Sequence, residues 1–142
     1  MNVNSKRSVG HAVVVASCLL LAGTPEAEAD QRCTLRSVRG DFAYLVQGTN
    51  LAIGLVSAVG RVSADGAGSL LATDTLSVEG TILRRTITGT YTIEPDCTGS
   101  VTFSDNFGQT THLDYVLADG GDEIRLIQTD QDTIITGTAR RL

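Results

Sequence analysis

The fold is decided by residues 68–93, which read GSLLATDTLSVEGTILRRTITGTYTI. Apolar and polar residues alternate on both sides of Glu79-Gly80, and such alternation is typical of strands with one buried face. A short turn that contains glycine favours a β-hairpin. If the chain reverses there, Asp74 pairs with Arg85 on an otherwise apolar face. The pattern therefore predicts a hairpin in which two opposite charges face each other.

The same alternation recurs along the chain and is interrupted by Gly and Asp residues at short intervals. Such spacing is typical of an all-β sandwich or barrel. Short turns pair each strand with its sequence neighbour, and closure of the last strand on the first removes the exposed edges. We therefore expect an eight-stranded antiparallel up-and-down barrel, with a two-sheet sandwich as the alternative. The strands are predicted at residues 39–48, 53–64, 68–78, 81–93, 99–105, 109–118, 123–130 and 133–140.

Residues 1–29 have the features of a cleaved signal peptide: two basic residues, an apolar run over 12–23 and an A-x-A motif that ends at Ala29. The apolar run is too short for a transmembrane helix, and no later segment approaches that length. We therefore expect a secreted or periplasmic protein with a single domain over 30–142. A lipobox-like sequence that ends at Cys18 suggests a lipoprotein instead. The apolar run continues past that cysteine, which favours the soluble product.

Removal of the leader leaves two cysteines, Cys33 and Cys97. Paired cysteines are common in exported domains, so the sequence predicts one disulfide between the start of the first strand and the turn after the fourth. Closure of a loop of this size stabilises a fold by about 4 kcal/mol in the chain-entropy relation. Two buried free thiols are the alternative, which an oxidising compartment disfavours.

The remaining composition argues against several kinds of partner. The net charge is −5 and the basic residues form no stripe, so neither nucleic acid nor an anionic membrane is expected as a partner. His112 is the one histidine after the leader, which leaves too few N and S ligands for a zinc site. The chain has no G-x-S-x-G motif, and His112 shares with Asp114 a strand face that by apolar count points to solvent. We therefore expect no metal and no organic cofactor.

Four segments of the chain are distinctive: RVSADGAG at 61–68, RRTITGTYT at 84–92, PDCTG at 95–99 and EIR at 123–125. They resemble a group of small exported bacterial proteins associated with calycin-like, allene-oxide-cyclase-type β-barrels. The resemblance implies a barrel fold and export. It implies no activity, because no catalytic motif of allene oxide cyclase matches a position in this chain.

Asp74 and Arg85 are the best candidates for a functional site. Burial of either charge alone costs several kcal/mol, so each requires the other or a ligand. One interpretation is a hydrogen-bonded bridge that fixes the strand register. The other is a polar anchor for a ligand in an apolar barrel lumen. The side chains expected to support such an anchor are those of Tyr91, Tyr44 and Gln128.

The leading functional hypothesis is non-catalytic binding of a small, partly apolar molecule in the barrel. An isomerase or cyclase of the allene-oxide-cyclase type is the second hypothesis, because a barrel can hold a reactive substrate in one folded geometry. The third hypothesis is a structural or interaction protein whose barrel is filled by its own side chains. An unfilled lumen would argue against the third hypothesis, and a filled lumen would argue against the first two.

Overall fold

The computed structural model describes residues 32–142, and the predicted leader lies outside them. The strands are β1 (Gly40–Asn50), β2 (Gly54–Ala64), β3 (Ser69–Val78), β4 (Thr81–Ile93), β5 (Thr98–Asp105), β6 (Thr110–Ala118), β7 (Glu123–Gln128) and β8 (Thr133–Arg141). Each strand pairs antiparallel with the next, and β8 closes on β1. The predicted up-and-down barrel is confirmed, and the sandwich alternative is wrong because the sheet closes on itself. Each predicted strand end lies within two residues of the observed one.

The β3–β4 hairpin has the register that the sequence predicts. Asp74 pairs with Arg85, and the ladder continues to the turn at Glu79 and Gly80. Both turn residues have positive φ, 47° and 85°. Two such residues make a type I′ turn, whose twist matches that of the flanking strands. The turn therefore holds Asp74 and Arg85 opposite each other on the inner face of the barrel.

One end of the barrel is plugged by the short 3-10 helix Leu35–Val38, which precedes β1. Its Val38 packs against Phe42, whose side chain is among the most buried in the described chain. Arg141, at the end of β8, donates hydrogen bonds to the carbonyls of Ser37 and Arg39 and lies over the ring of Phe42 at 4.5 Å. These contacts attach the plug to the barrel wall. Within residues 32–142, no helix has the length and apolarity needed to span a membrane.

The predicted disulfide between Cys33 and Cys97 is present and attaches the same plug to the β4–β5 turn. The N–H of Cys33 also donates to the carbonyl of Pro95 at 3.1 Å, and the carbonyl of Cys97 accepts from the N–H of Leu117 at 2.9 Å. The disulfide, two backbone hydrogen bonds and the Arg141 contacts together close this end. The opposite end, formed by the β1–β2, β3–β4, β5–β6 and β7–β8 connections, is called the open end below.

Candidate functional site in the barrel lumen

The barrel contains a cavity of about 460 Å³ that extends to residues of the β1–β2 and β5–β6 connections at the open end. Inward-facing Val46, Leu76 and Leu113 are only partly buried, whereas Phe42 beside the plug is 1% exposed. The side chains that line the lumen are therefore more tightly packed towards its plugged end than towards its open end. The apolar wall of the cavity includes Val46, Val56, Leu76, Val78, Leu83, Phe103, Leu113, Leu126 and Ile135.

A polar row crosses the inner wall over four neighbouring strands. Tyr44 on β1 pairs with Gly60 on β2, which pairs in turn with Asp74 on β3. Arg85 on β4 completes the row opposite Asp74. A Cβ at Gly60 would lie 2.5 Å from the Cβ of Asp74 and 2.8 Å from the Cζ of Tyr44. The tyrosine ring therefore occupies the space that a side chain at Gly60 would need, and its hydroxyl reaches β3.

The carboxylate of Asp74 is the centre of the polar row, and its side chain is 0% exposed. It accepts hydrogen bonds from Nε of Arg85 at 2.9 Å, from Nη2 of Arg85 at 2.5 Å and from the hydroxyl of Tyr44 at 2.7 Å. A bidentate pair of this kind fixes the plane of the guanidinium. Arg85 and Tyr44 line the cavity, while Asp74 lies behind them. Asp74 therefore positions the two groups that face the lumen.

A second carboxylate at the cavity, that of Asp105, was not among the predicted site residues. Its Oδ2 atom lies 3.5 Å from Nη1 of Arg85. Its Oδ1 atom accepts hydrogen bonds from the N–H groups of Phe107 at 2.9 Å and Gln109 at 3.0 Å, which hold the β5–β6 turn. The sequence signal for Asp105 was its alternation with inward-facing Phe103. The site thus contains two carboxylates and one guanidinium.

Burial and hydrogen bonding determine the protonation of the groups that face the lumen. Burial raises the pKa of Tyr44, and the hydrogen bond to Asp74 raises it further. Burial lowers the pKa of Arg85, but the hydrogen bonds and charge of Asp74 outweigh this effect, so the pKa is raised overall. At neutral pH the site therefore presents a protonated phenol and a charged guanidinium.

The other predicted site residues, Tyr91 and Gln128, line the cavity but are bonded to other groups. The hydroxyl of Tyr91 donates to the carbonyl of Leu35 in the plug at 3.1 Å. Nε2 of Gln128 donates to Oδ2 of Asp130 in the β7–β8 connection at 2.8 Å. Of the five predicted residues, Tyr44, Asp74 and Arg85 therefore form one hydrogen-bonded cluster. Tyr91 and Gln128 are separate positions on the cavity wall. The wall positions belong to the plugged end and the open end respectively.

His112 lies on the outer face of β6 and is exposed, as predicted, but its partner is Asp130 and not Asp114. Its Nδ1 atom is 2.7 Å from Oδ1 of Asp130, and its backbone N–H donates to Oδ2 at 3.0 Å. Burial raises the pKa of Asp130, yet the hydrogen bonds from His112 outweigh it and the pKa is lowered overall. Across residues 32–142, no three His, Cys, Asp or Glu side chains are grouped in a way that suits a metal ion.

Known proteins resemble this chain in fold. No family model and no curated protein matches its sequence. A de novo designed fluorescence-activating β-barrel superimposes with a TM-score of 0.59 at 9% identity, over 78% of this chain and 99% of that chain. The redesigned barrel mFAP1, bound to DFHBI, gives 0.55 at 13% identity, over 76% and 98%. EF1p2_mFAP2b, also bound to DFHBI, gives 0.55 at 10% identity, over 78% and 100%. At these identities the likeness shows the barrel fold alone.

Proposed function

We propose that the barrel binds a small, partly apolar molecule in its lumen and catalyses no reaction on it. The observation that carries this proposal is the unfilled cavity of about 460 Å³, with apolar walls and a polar row on one side. Sites for small molecules have this composition, and their volumes range over about 300–1,000 Å³. An eight-stranded barrel is also wide enough to hold one small ligand.

The polar row supplies the orienting contacts in this proposal. Arg85 and Tyr44 border the space for the polar group of the ligand, and Asp74 holds both side chains in place. Tyr91 and Gln128 form parts of the wall at the plugged and open ends. A few fixed polar groups within an apolar wall set the orientation of a ligand, while burial of apolar surface supplies most of its affinity.

Two further observations support the proposal. Two of the similar barrels are described as bound to DFHBI, so a barrel of this architecture can hold a small molecule. At the open end of this chain, the apolar side chains of Leu51, Ile53 and Phe107 are exposed, and two of them also border the cavity. An apolar rim offers an apolar ligand a favourable path into the lumen.

The cavity also bears on the two alternative functions, a barrel filled by its own side chains and an enzyme. A filled barrel would require side chains to occupy the lumen, whereas Val46, Leu76 and Leu113 remain partly accessible. An isomerase or cyclase would use the same polar row to direct charge in a bound substrate. That alternative predicts conversion of the bound molecule, whereas simple binding predicts that the molecule is recovered unchanged.

We also propose that the protein is exported and that its leader is removed after Ala29. The disulfide between Cys33 and Cys97 supports an oxidising compartment. N-terminal sequencing of the protein recovered from periplasm or culture medium is then expected to begin at Asp30. Recovery of the chain with its first 29 residues intact would contradict this proposal.

A pair of matched variants tests lumen binding. Val46 lines the cavity, while Val59 lies on the outer face of β2 and is 59% exposed. Titration of a polarity-sensitive fluorescent dye is expected to show one saturable site in the parent and in Val59→Trp. In Val46→Trp the indole occupies the lumen, so the affinity is expected to fall by about ten-fold or more. Equal binding by both variants would refute lumen binding. Leu113→Phe is a milder filling variant for use if Val46→Trp does not fold.

A further inference from the structure

The charges around the cavity do not balance. Among the residues described as lining it, Arg85 and Asp105 carry charge, and Asp74 lies directly behind Arg85. The side chains of Asp74 and Asp105 are 0% and 4% exposed, so water screens neither of them well. Two carboxylates against one guanidinium leave this side of the lumen with one excess negative charge.

The unbalanced charge lies on Asp105. The carboxylate of Asp74 accepts hydrogen bonds from Nε and Nη2 of Arg85, at 2.9 and 2.5 Å. The distance from Oδ2 of Asp105 to Nη1 of Arg85 is longer, at 3.5 Å. The guanidinium is therefore paired closely with Asp74 and only loosely with Asp105. A carboxylate oxygen has two lone pairs, so Oδ2 of Asp105 retains capacity for a hydrogen bond from a ligand. Buried charge of this kind is stabilised most by a charged donor.

Two phenylalanines close to Asp105 in the sequence also line the cavity. Phe103 and Phe107 lie two residues on either side of Asp105 along the chain, and both line the cavity. A cation close to an aromatic ring gains from the negative potential of the ring face. The β5–β6 region thus contributes one carboxylate and two phenyl rings to the cavity lining, a combination that favours an ammonium group over an anion.

We propose that the lumen selects apolar amines in their protonated form, with Asp105 as the counter-ion of the ammonium group. This inference rests on the proposed binding function and adds the charge of the ligand to it. A ligand carboxylate would be repelled by the carboxylates of Asp105 and Asp74. Its only compensation would be hydrogen bonds from the N–H groups of Arg85 that those two carboxylates do not use. A ligand ammonium completes the charge balance of the site.

Three molecules of one shape test the sign of the charge: octylamine, octanol and octanoate. Displacement of the polarity-sensitive dye from the parent protein by each molecule is measured at neutral pH, where the amine is a cation and octanoate an anion. Octylamine is expected to bind about ten-fold more tightly than octanol, because one partly screened ion pair contributes about that factor. Octanoate is expected to bind most weakly of the three.

Two charge-removing variants make the test specific. Asp105→Asn keeps an Oδ1 that can accept from the N–H groups of Phe107 and Gln109, so the β5–β6 turn is preserved. This variant is expected to bind octylamine and octanol equally. Asp114→Asn removes one charge from the exposed outer face of β6 and is expected to retain the preference for the amine.

The outcomes distinguish this inference from the function on which it rests. If all three molecules displace the dye equally, or if Asp105→Asn keeps the amine preference, the charge selection is refuted and lumen binding stands. If octanoate binds most tightly, the sign of the selection is wrong. If neither the dye nor any of the three molecules binds the parent protein, both proposals fail.

Discussion

Replacement of Arg85 by methionine is expected to destabilise the protein far more than loss of an ordinary ion pair would. Arg85 gives the Asp74 carboxylate two of its hydrogen bonds, and the Asp74 side chain is 0% exposed. Hydrogen bonds to a charged group contribute about 1.5–3 kcal/mol each. A buried pair that loses one partner costs about 3–5 kcal/mol, because the remaining charge is uncompensated. The free energy of unfolding should fall by this amount, and the melting temperature by about 15 °C.

The chain offers a matched control on its outer surface. Arg61 and Asp41 form a salt bridge of 2.8 Å between β1 and β2, but their side chains are 62% and 40% exposed. Arg61→Met is therefore expected to cost no more than about 1 kcal/mol. Urea denaturation of both variants gives the comparison directly. Equal and small losses would refute the reasoning, since they would mean that solvent reaches Asp74.

A double variant separates the cost of an orphaned charge from the cost of lost packing. Asp74→Asn combined with Arg85→Met removes both charges and keeps an acceptor for the Tyr44 hydroxyl. The double variant is expected to regain about 2 kcal/mol or more relative to Arg85→Met alone. If it is less stable than the single variant, the loss in Arg85→Met reflects packing and the charge argument is wrong.

Three further predictions concern Gly60, the three tyrosines and the disulfide. Gly60→Ala should cost about 1–3 kcal/mol in urea denaturation, because a Cβ there would collide with the carbonyl oxygen of Thr73 and lie 2.8 Å from the Cζ of Tyr44; an unchanged midpoint would contradict it. The pKa of each of the three tyrosines is raised by burial, so stability should be full below pH of about 10 and fall as the pH rises above it. A tyrosinate absorbance step at the ordinary pKa in the folded protein would refute this. Cys33→Ala with Cys97→Ala should cost about 4 kcal/mol, and a melting temperature that does not change would refute the loop-entropy account.

The fold could be predicted because local signals agree along the chain. Alternation of apolar and polar residues fixes which side chains face inward, and a one-residue shift in any strand would reverse that orientation. The turn at Glu79 and Gly80 adds the register, because a two-residue reversal there pairs Val78 with Thr81 and therefore Asp74 with Arg85. The Asp74–Arg85 pair follows from these two facts alone.

The candidate site was less predictable because part of it depends on contacts between strands and loops that local patterns do not determine. Arg85 meets Asp105 diagonally across the β4–β5 pair, at a place set by the stagger of the barrel. His112 bonds to Asp130 in a neighbouring connection, although Asp114 on its own strand has the better sequence spacing. In both cases the partner lies on a different strand or connection, which the residue pattern along a single strand does not indicate.

The volume of the lumen could not be predicted from the sequence either. The same number of strands can surround packed side chains or a space for one ligand. In this chain glycines allow neighbouring rings to lie close to the wall, as Tyr44 does over Gly60 and Tyr115 does over Gly99. The hydroxyl of Tyr115 bonds to the carbonyl of Thr92 at 2.7 Å, which holds that ring against the wall. How much space then remains depends on all inward-facing side chains together.

The central claim, that a small apolar molecule binds inside the barrel, is tested most directly by leucine methyl NMR spectra during titration with the polarity-sensitive dye. Leu76, Leu83 and Leu113 line the cavity. Leu45, Leu55 and Leu71 lie on the outer face and are exposed, which makes them matched reporters of surface binding. The account predicts saturable shifts of the three lumen methyl groups and constant positions for the three outer ones. Shifts confined to the outer leucines would contradict it.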